Sequence, residues 1–366
     1  MIGQLLQKGV RIPAPQSVVC EDIDIARIQP GAVLYPGTVL RGRETFIGRE
    51  ACIGLGGGAF VENAQIGAHA QVMQGTYKKC ALLDHTVVRN GAEIREGSIL
   101  EEGAELGHTV GLKQSIFFPE VVAGSLINFC DVLIAGGTSR KDHSEIGSCM
   151  ALYNYTPQGD KFASIFGDVV HGLFLDQPPV FVGGQTQIVS PVCVGYGAVV
   201  AAGSKLTGNL ASGRIYGSSG KEFERDFDRS LIWRPDLKVE NTRYYFGQLM
   251  CYRAWYENVR LPLFAGSEEA PIYEAVLEHI DSGLKERHKR LSAFVNKLPA
   301  SLEKHRAQGH DREVTAHEHA LELAARAVEM PAHFNYSGIV AYLRREMQQG
   351  KRYVECMRAL PPALRG

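Results

Sequence analysis

The sequence predicts an all-β solenoid, a parallel β-helix of hexapeptide repeats, followed by an α-helical C-terminal domain. Three observations carry this. Leu82, Val88, Ile94, Leu100, Leu106 and Leu112 fall six residues apart without a slip. Helices repeat near 3.6 residues and strands near 2, so neither alone gives that period. A coil in which each six-residue unit supplies one short strand and one corner does. Second, small residues (Ala92, Ser98, Ala104) follow Val88, Ile94 and Leu100 at a fixed offset, each preceded by a glycine (Gly91, Gly97, Gly103). A turning chain needs positive φ there, which glycine adopts without strain. Third, beyond Gly220 the apolar spacing changes to a helical one.

In chain order, residues 1–17 form a short lead-in. The solenoid spans 18–212. Its first run is Ile28, Leu34 and Leu40, then, after a one-residue slip, Ile47, Ile53, Ile66 and Val72. Residues 113–181 lose the strict period, become rich in polar groups and read as an inserted functional region. Val182, Ile188, Val194, Val200 and Leu206 resume the period, with Thr186, Ala198 and Ser204 as small followers. Gly213, Gly217, Ser218, Ser219 and Gly220 mark a linker. The helical domain is placed at 221–366. Tyr245, Leu249, Tyr252, Tyr256 and Val259 have the spacing of an a/d seam. Leu277 to Leu298 and Ala316 to Met330 form two further stripes, the last stopped by Pro331, and a fourth helix is expected over 337–360. Because a final coil exposes unpaired backbone groups, the helices are expected to cap that end.

Composition narrows the function. The chain has 366 residues, 39 basic and 40 acidic, for a formal net charge of −1. Such balance points away from nucleic acid or a membrane surface as partner. Eight scattered cysteines without a CxxC pair read as reduced, packed thiols of a cytoplasmic protein. Residues 1–15 show no basic start followed by an apolar run, so no signal peptide is expected. The most apolar stretch, Val121 to Gly137, is interrupted by Asn128 and Asp131 and is too short to span a bilayer.

Runs such as EIREGSILEEGAELG resemble the left-handed β-helix acyltransferases. The stretch FVGGQTQIVSPVCVGYGAVVAAGSKLTGN, Phe181 to Asn209, is closer still. It resembles the acetyltransferase half of the bifunctional N-acetylglucosamine-1-phosphate uridyltransferase / glucosamine-1-phosphate acetyltransferase, as does SEIGSCMALYNYTPQGDK, Ser144 to Lys161, with its Asn-Tyr pair followed by a lysine. The resemblance covers about residues 28–210. It implies a left-handed homotrimer with active sites between adjacent β-helices, an acetyl-CoA or other acyl-CoA donor lying along the coils, and an acceptor related to UDP-N-acetylglucosamine. It also implies a donor groove at Ala201, Ala202 and Gly203; from composition alone, close coil packing is an equal reading. The nucleotide-binding loop of the uridyltransferase half has no match, since GLGGG at Gly54–Gly58 lies within the coils. The catalytic histidine motif is not reproduced in place, and the helical domain has no counterpart.

Acyl transfer from a thioester needs a base for the attacking hydroxyl or amine, donors for the developing oxyanion and a surface for the acceptor. Within 113–181, GGTSRKDHSEIG gathers Arg140, Lys141, Asp142 and His143. His143 is the first candidate base, because an imidazole exchanges protons near neutral pH. Asp142 or Glu145 is placed to orient it, and Arg140 and Lys141 to hold a phosphate. A solvated charged loop is the bland alternative. Asn154, Tyr155 and Lys161 are assigned to acceptor contact, although Pro157, Gly159 and Asp160 also make this a turn. His171 is the second candidate base. The expected function is therefore acyl-CoA-dependent acylation of a sugar phosphate or nucleotide sugar, with no metal required. The alternatives are a non-catalytic nucleotide-sugar-binding or scaffold protein, and a metal enzyme like the γ-class carbonic anhydrases, using His69, His85 and His108.

Overall fold

The computed structural model describes residues 1–220, 224 and 227–365, so the first residues of the expected helical segment, 221–223, and Gly366 lie outside the described residues. From Val19 to Tyr216 the chain forms a parallel β-solenoid. Leu82 pairs with Leu100, Val88 with Leu106 and Ile94 with Leu112, each 18 residues on. One coil is therefore three hexapeptides, and the solenoid is a three-sided prism. The six residues that set the period, Leu82 to Leu112, are at most 1% exposed. Their side chains stack into a dry core, while the corners turn at Gly91, Gly97 and Gly103, with φ of 81°, 73° and 71°.

Each face is a stack of short strands. The first carries Ala92–Ile94, the start of Gly111–Phe117, the start of Asn128–Ile134, Ala151–Tyr153 and Gln187–Val189. The second carries Gln65–Ile66, Ala81–Leu82, Ile99–Leu100, the ends of the two longer strands, Ser164–Phe166 and Cys193–Val194. The third carries Val87–Val88, Glu105–Leu106, Val122–Ala123, Glu145–Ile146, Phe181–Val182 and Val199–Val200. The coils thus run straight through 113–181. The lost period comes from three excursions at corners, 135–144, 154–163 and 167–180, rather than from one inserted body.

The helices are α1 (Ile2–Gln7), α2 (Val169–Phe174), α3 (Pro235–Trp255), α4 (Leu261–Phe264), α5 (Ala270–Val295), α6 (Leu298–Ala307), α7 (Asp311–Ala325), α8 (Tyr336–Gln348) and α9 (Tyr353–Arg358). The helices from α3 onward do not cap the last coil, as expected from the sequence. They touch the last coils at the start of α3, through Asn241–Asn209 and Arg234–Thr207, and then lie along the second face. At 1.5 Å per residue the 21 residues of α3 span about 31 Å, the height of roughly six coils. Gln248 accepts from the Val169 N–H, Tyr252 and Tyr256 reach Glu101, and beyond α4 Glu268 meets Arg49 near the other end. The α5 helix returns the opposite way, through Arg287–Asp131, and Lys297 just beyond it pairs with Asp160. Covering a face hides more apolar surface than covering an end. The seam residues Tyr245 to Val259 are buried as their spacing predicts. The third stripe ends at Ala325, short of Pro331, and the fourth helix is split into α8 and α9 around Gly350, with φ of 85°.

Between α3 and α4, Tyr256–Arg260 form a π-helical turn, just before Pro262, which has no N–H to continue the ladder. This turn carries Arg260 to complete burial against the solenoid corner. Its guanidinium pairs with Glu102, lies 3.5 Å from Glu101 and stacks 3.7 Å from the centre of the Tyr353 ring. Glu101 accepts from both Tyr252 and Tyr256 hydroxyls, and Arg358 pairs with Glu120.

Candidate functional site

The candidate residues fall on three different corners. Residues 135–144 and 167–180 leave the corner between the second and third faces. Residues 154–163 leave the corner between the first and second. Ala201, Ala202 and Gly203 turn the corner between the third and first, after Val199–Val200 and before Lys205–Leu206. Within one chain, His143 and Asn154 therefore point from separate edges of the prism.

The His143 loop is tightly specified. A Cβ on Gly137 would lie 2.1 Å from the Asp142 carbonyl oxygen, so only glycine lets the two strands of the loop meet. The Asp142 N–H donates to the Ser139 carbonyl at 3.0 Å, and the Thr138 hydroxyl donates to the Asp142 carboxylate at 2.5 Å. His143 Nδ1 lies 2.9 Å from the Arg140 carbonyl oxygen. A carbonyl only accepts, so Nδ1 carries the proton and Nε2 keeps its lone pair. Nε2 is 3.8 Å from Glu145, and the side chain is 22% exposed. The orienting group is thus a backbone carbonyl; Asp142 is engaged by Thr138. Arg140 is held by the next coil, donating to the Gly103 carbonyl at 3.1 Å and pairing with Glu105. Lys141 is exposed and free to meet an anion brought to His143.

His171, on α2 one coil further along the same corner, is tied differently. Its Nδ1 is 2.9 Å from Asp176, which also pairs with Arg365, and its ring stands edge-on to Tyr196. At the first corner, Asn154 donates to Asp131, a buried carboxylate also bound by Arg287 of α5 at 2.5 Å. Burial raises the Asp131 carboxyl, while Arg287 and Asn154 oppose the rise. The Asn154 amide therefore faces inward. Tyr155 and Lys161 bridge across the turn with the ammonium 6.0 Å from the ring centre, and they face outward, Tyr155 being 61% exposed. At the third corner a Cβ on Gly203 would meet nothing within 4 Å, so close packing does not require glycine there.

His69 and His85 stack with ring centroids 4.9 Å apart at the second–third corner. His108 turns the third–first corner, bonded to Ser125 at 2.6 Å. Within one chain the three histidines do not converge.

Sequence reasoning missed the acidic column at the helical flank. Asp84, Glu102 and Glu120 recur one coil length, 18 residues, apart. That spacing was the available signal, because repeated acids at one corner must meet either solvent or a basic partner. Here they meet Arg260 and Arg358, together with the aromatic rings of the helices.

No family model matches the chain. It is 29% identical over 225 residues to the bifunctional protein GlmU of Bdellovibrio bacteriovorus, which covers 61% of this chain and 44% of that protein. It is also 29% identical over 208 residues to the bifunctional protein GlmU of an Exiguobacterium species, covering 57% and 41%. The resemblance to hexapeptide-repeat acyltransferases in the neighbourhood of GlmU stands. The chain spans less than half the length of these curated relatives. Among solved structures, an Arabidopsis UDP-N-acetylglucosamine acyltransferase is 13% identical, covering 76% of this chain and 96% of that one, at a TM-score of 0.27. The polysialic-acid-specific acetyltransferase NeuO is 14% identical, covering 58% and 79%, at a TM-score of 0.22. These two overlays are too loose to carry an argument. The Gly54–Gly58 run lies within the strand Cys52–Glu62, inside the coils.

Proposed function

We propose that the chain transfers an acetyl or other acyl group from acyl-CoA to a hydroxyl or amine of a sugar phosphate or nucleotide sugar. The observation that carries this reading is the fixed tautomer of His143, whose Nε2 lone pair stands on a glycine-braced corner beside exposed Lys141. His143 Nε2 takes the proton from the acceptor as its oxygen or nitrogen bonds to the thioester carbonyl. The resulting imidazolium returns that proton to the CoA sulfur as the carbon–sulfur bond breaks. Lys141 supplies charge for a phosphate, Tyr155 and Lys161 contact the sugar, and Ala201–Gly203 line the donor path. Asp142 shapes the loop. Because these groups occupy separate corners, the reading requires a homotrimer in which one prism's His143 corner meets a neighbour's Tyr155–Lys161 corner.

The test is thiol release from acetyl-CoA with a panel of amino-sugar phosphates and nucleotide sugars. His143→Ala is expected to lower the rate by about 10²–10⁴-fold, and His171→Ala to leave most of it. Mixed trimers of His143→Ala and Lys161→Ala chains should regain activity that neither variant has. Full turnover by His143→Ala would overturn the assignment. The separation of the corners also favours a second reading, a nucleotide-sugar-binding scaffold. Binding of such a ligand with no thiol release on any donor would select it.

A further inference from the structure

We propose that the helical domain holds one zinc ion between α6 and α7, bound by His305, His310, Glu313 and His317. The site lies outside the solenoid and plays no part in the acyl-transfer reading.

The cluster is buried. His305 and His317 are fully buried and Glu313 nearly so. One ligand atom from each of His305, Glu313 and His317 lies within 4.8 Å of the others. Helical spacing puts Glu313 and His317 on one face of α7, and His310 immediately precedes that helix.

The tautomers are set as a metal site needs them. His305 Nε2 lies 3.0 Å from the Ile232 carbonyl oxygen, and His317 Nδ1 lies 2.7 Å from the Glu313 carbonyl oxygen. Each of those nitrogens must donate, which leaves His305 Nδ1 and His317 Nε2 as lone pairs. Metal-binding histidines show this arrangement, with the second ring nitrogen donating to a carbonyl or carboxylate. His305 Nδ1 also faces His310 Nδ1 at 2.9 Å. Without an ion, one of that pair must carry a proton toward the other. With an ion, both present lone pairs to it. His317 Nε2 is 2.9 Å from the Ser301 hydroxyl, which itself accepts from the Ile232 N–H; this bond holds the lone pair when no ion is bound.

Three imidazoles and one carboxylate suit tetrahedral zinc at about 2.0–2.2 Å, with ligand atoms roughly 3.3 Å apart. Small side-chain rotations close the set to that size. A surface hollow of about 480 Å³, lined in part by Trp233, His310 and Glu313, gives an entry path. The Trp233 ring flanks His305 and His310 with centroids 5.1 and 5.3 Å away. Glu313 already accepts from the Arg234 N–H at 2.9 Å. Bound zinc would therefore tie the lead-in to α3 onto the α6–α7 hairpin.

The experiment uses the full chain, stripped with a chelator and titrated with Zn²⁺ and, separately, Co²⁺. One equivalent of Zn²⁺ per chain, a raised melting temperature and the visible bands of tetrahedral Co²⁺ are expected. His310→Ala removes a half-buried ligand without hollowing the core. It should weaken zinc binding more than about tenfold while melting like the wild type in chelator. Glu313→Gln should behave likewise, and His85→Ala, at the stacked solenoid pair, should leave uptake unchanged. No stoichiometric uptake, or uptake indifferent to both His310→Ala and Glu313→Gln, overturns the site.

Discussion

The interior of the solenoid and the flank beneath the helices are both buried, yet opposite chemistry holds them. The interior is a column of aliphatic side chains whose only polar company is small hydroxyls such as Thr186 and Ser204. The flank is a column of acids, Asp84, Glu101, Glu102 and Glu120, sealed by Arg260, Arg358 and a wall of tyrosines. Apolar burial is non-directional and grows with area. A buried ion pair adds little net stability but is costly to break, because one partner is left uncompensated. The interior should therefore tolerate graded change, whereas the flank should fail abruptly when one charge is removed.

The largest effect expected is at Arg260. Arg260→Ala strands Glu101 and Glu102 in a dry interface, at a cost of about 3–5 kcal/mol. Trp255 reports on this directly, since its ring is buried there and its N–H donates to the Tyr353 hydroxyl at 3.0 Å. Denaturant unfolding followed by tryptophan emission should show the helical layer lost at a much lower midpoint. A loss no larger than that of a surface pair, about 0–1 kcal/mol, would break the contrast.

A smaller effect is expected at Asp84, in the cavity left where Gly103 supplies no side chain between His85 and Glu120. Burial, with Glu102 adding to it, pushes the Asp84 carboxyl up to about 7. A raised carboxyl favours the folded state only while protonated. Its contribution is full below the unfolded carboxylate range, near 3.9, falls as pH rises and is gone above about 7. Asp84→Asn keeps a neutral acceptor for the Ala68 N–H, which Asp84 binds at 2.7 Å. The wild-type melting temperature should fall between about pH 5 and 8 more steeply than that of Asp84→Asn, leaving the variant a few degrees higher at the alkaline end. Parallel slopes would remove Asp84 as the titrating group.

The difference in chemistry also explains what could be read in advance. The residues from Leu82 to Leu112 repeat every six positions because each coil repeats the same environment, so periodicity revealed them. Glu101 and Glu102 occupy corners that ordinarily face water, and in LEEGAE they look solvated. Their burial depends on Arg260, more than 150 residues away, carried inward by a π-helical turn that no local pattern announces. The same holds at the candidate site. The GGTSRKDHSEIG loop was visible as a break in the period, and its glycine proved necessary at Gly137. The Arg140 carbonyl that fixes the His143 tautomer was not visible, because backbone acceptors have no sequence signature. Asn154 looked like an outward amide until Asp131 and Arg287 turned it inward.

The smallest effect tests the tolerant half of the comparison. Ile94 and Ile188 are fully buried in the interior, several coils apart. Truncating either to valine should cost about 0.5–1.5 kcal/mol. In a stack where each coil meets only its neighbours, such losses are independent. The double variant Ile94→Val/Ile188→Val should therefore equal the sum of the singles to within about 0.3–0.5 kcal/mol in urea unfolding. The matching pair on the flank, Arg260→Ala with Glu102→Gln, should cost less than its sum, because the second change removes the stranded charge that made the first so damaging. Additivity on the flank, or its absence in the interior, would show that the two halves of the molecule do not differ in the way their chemistry implies.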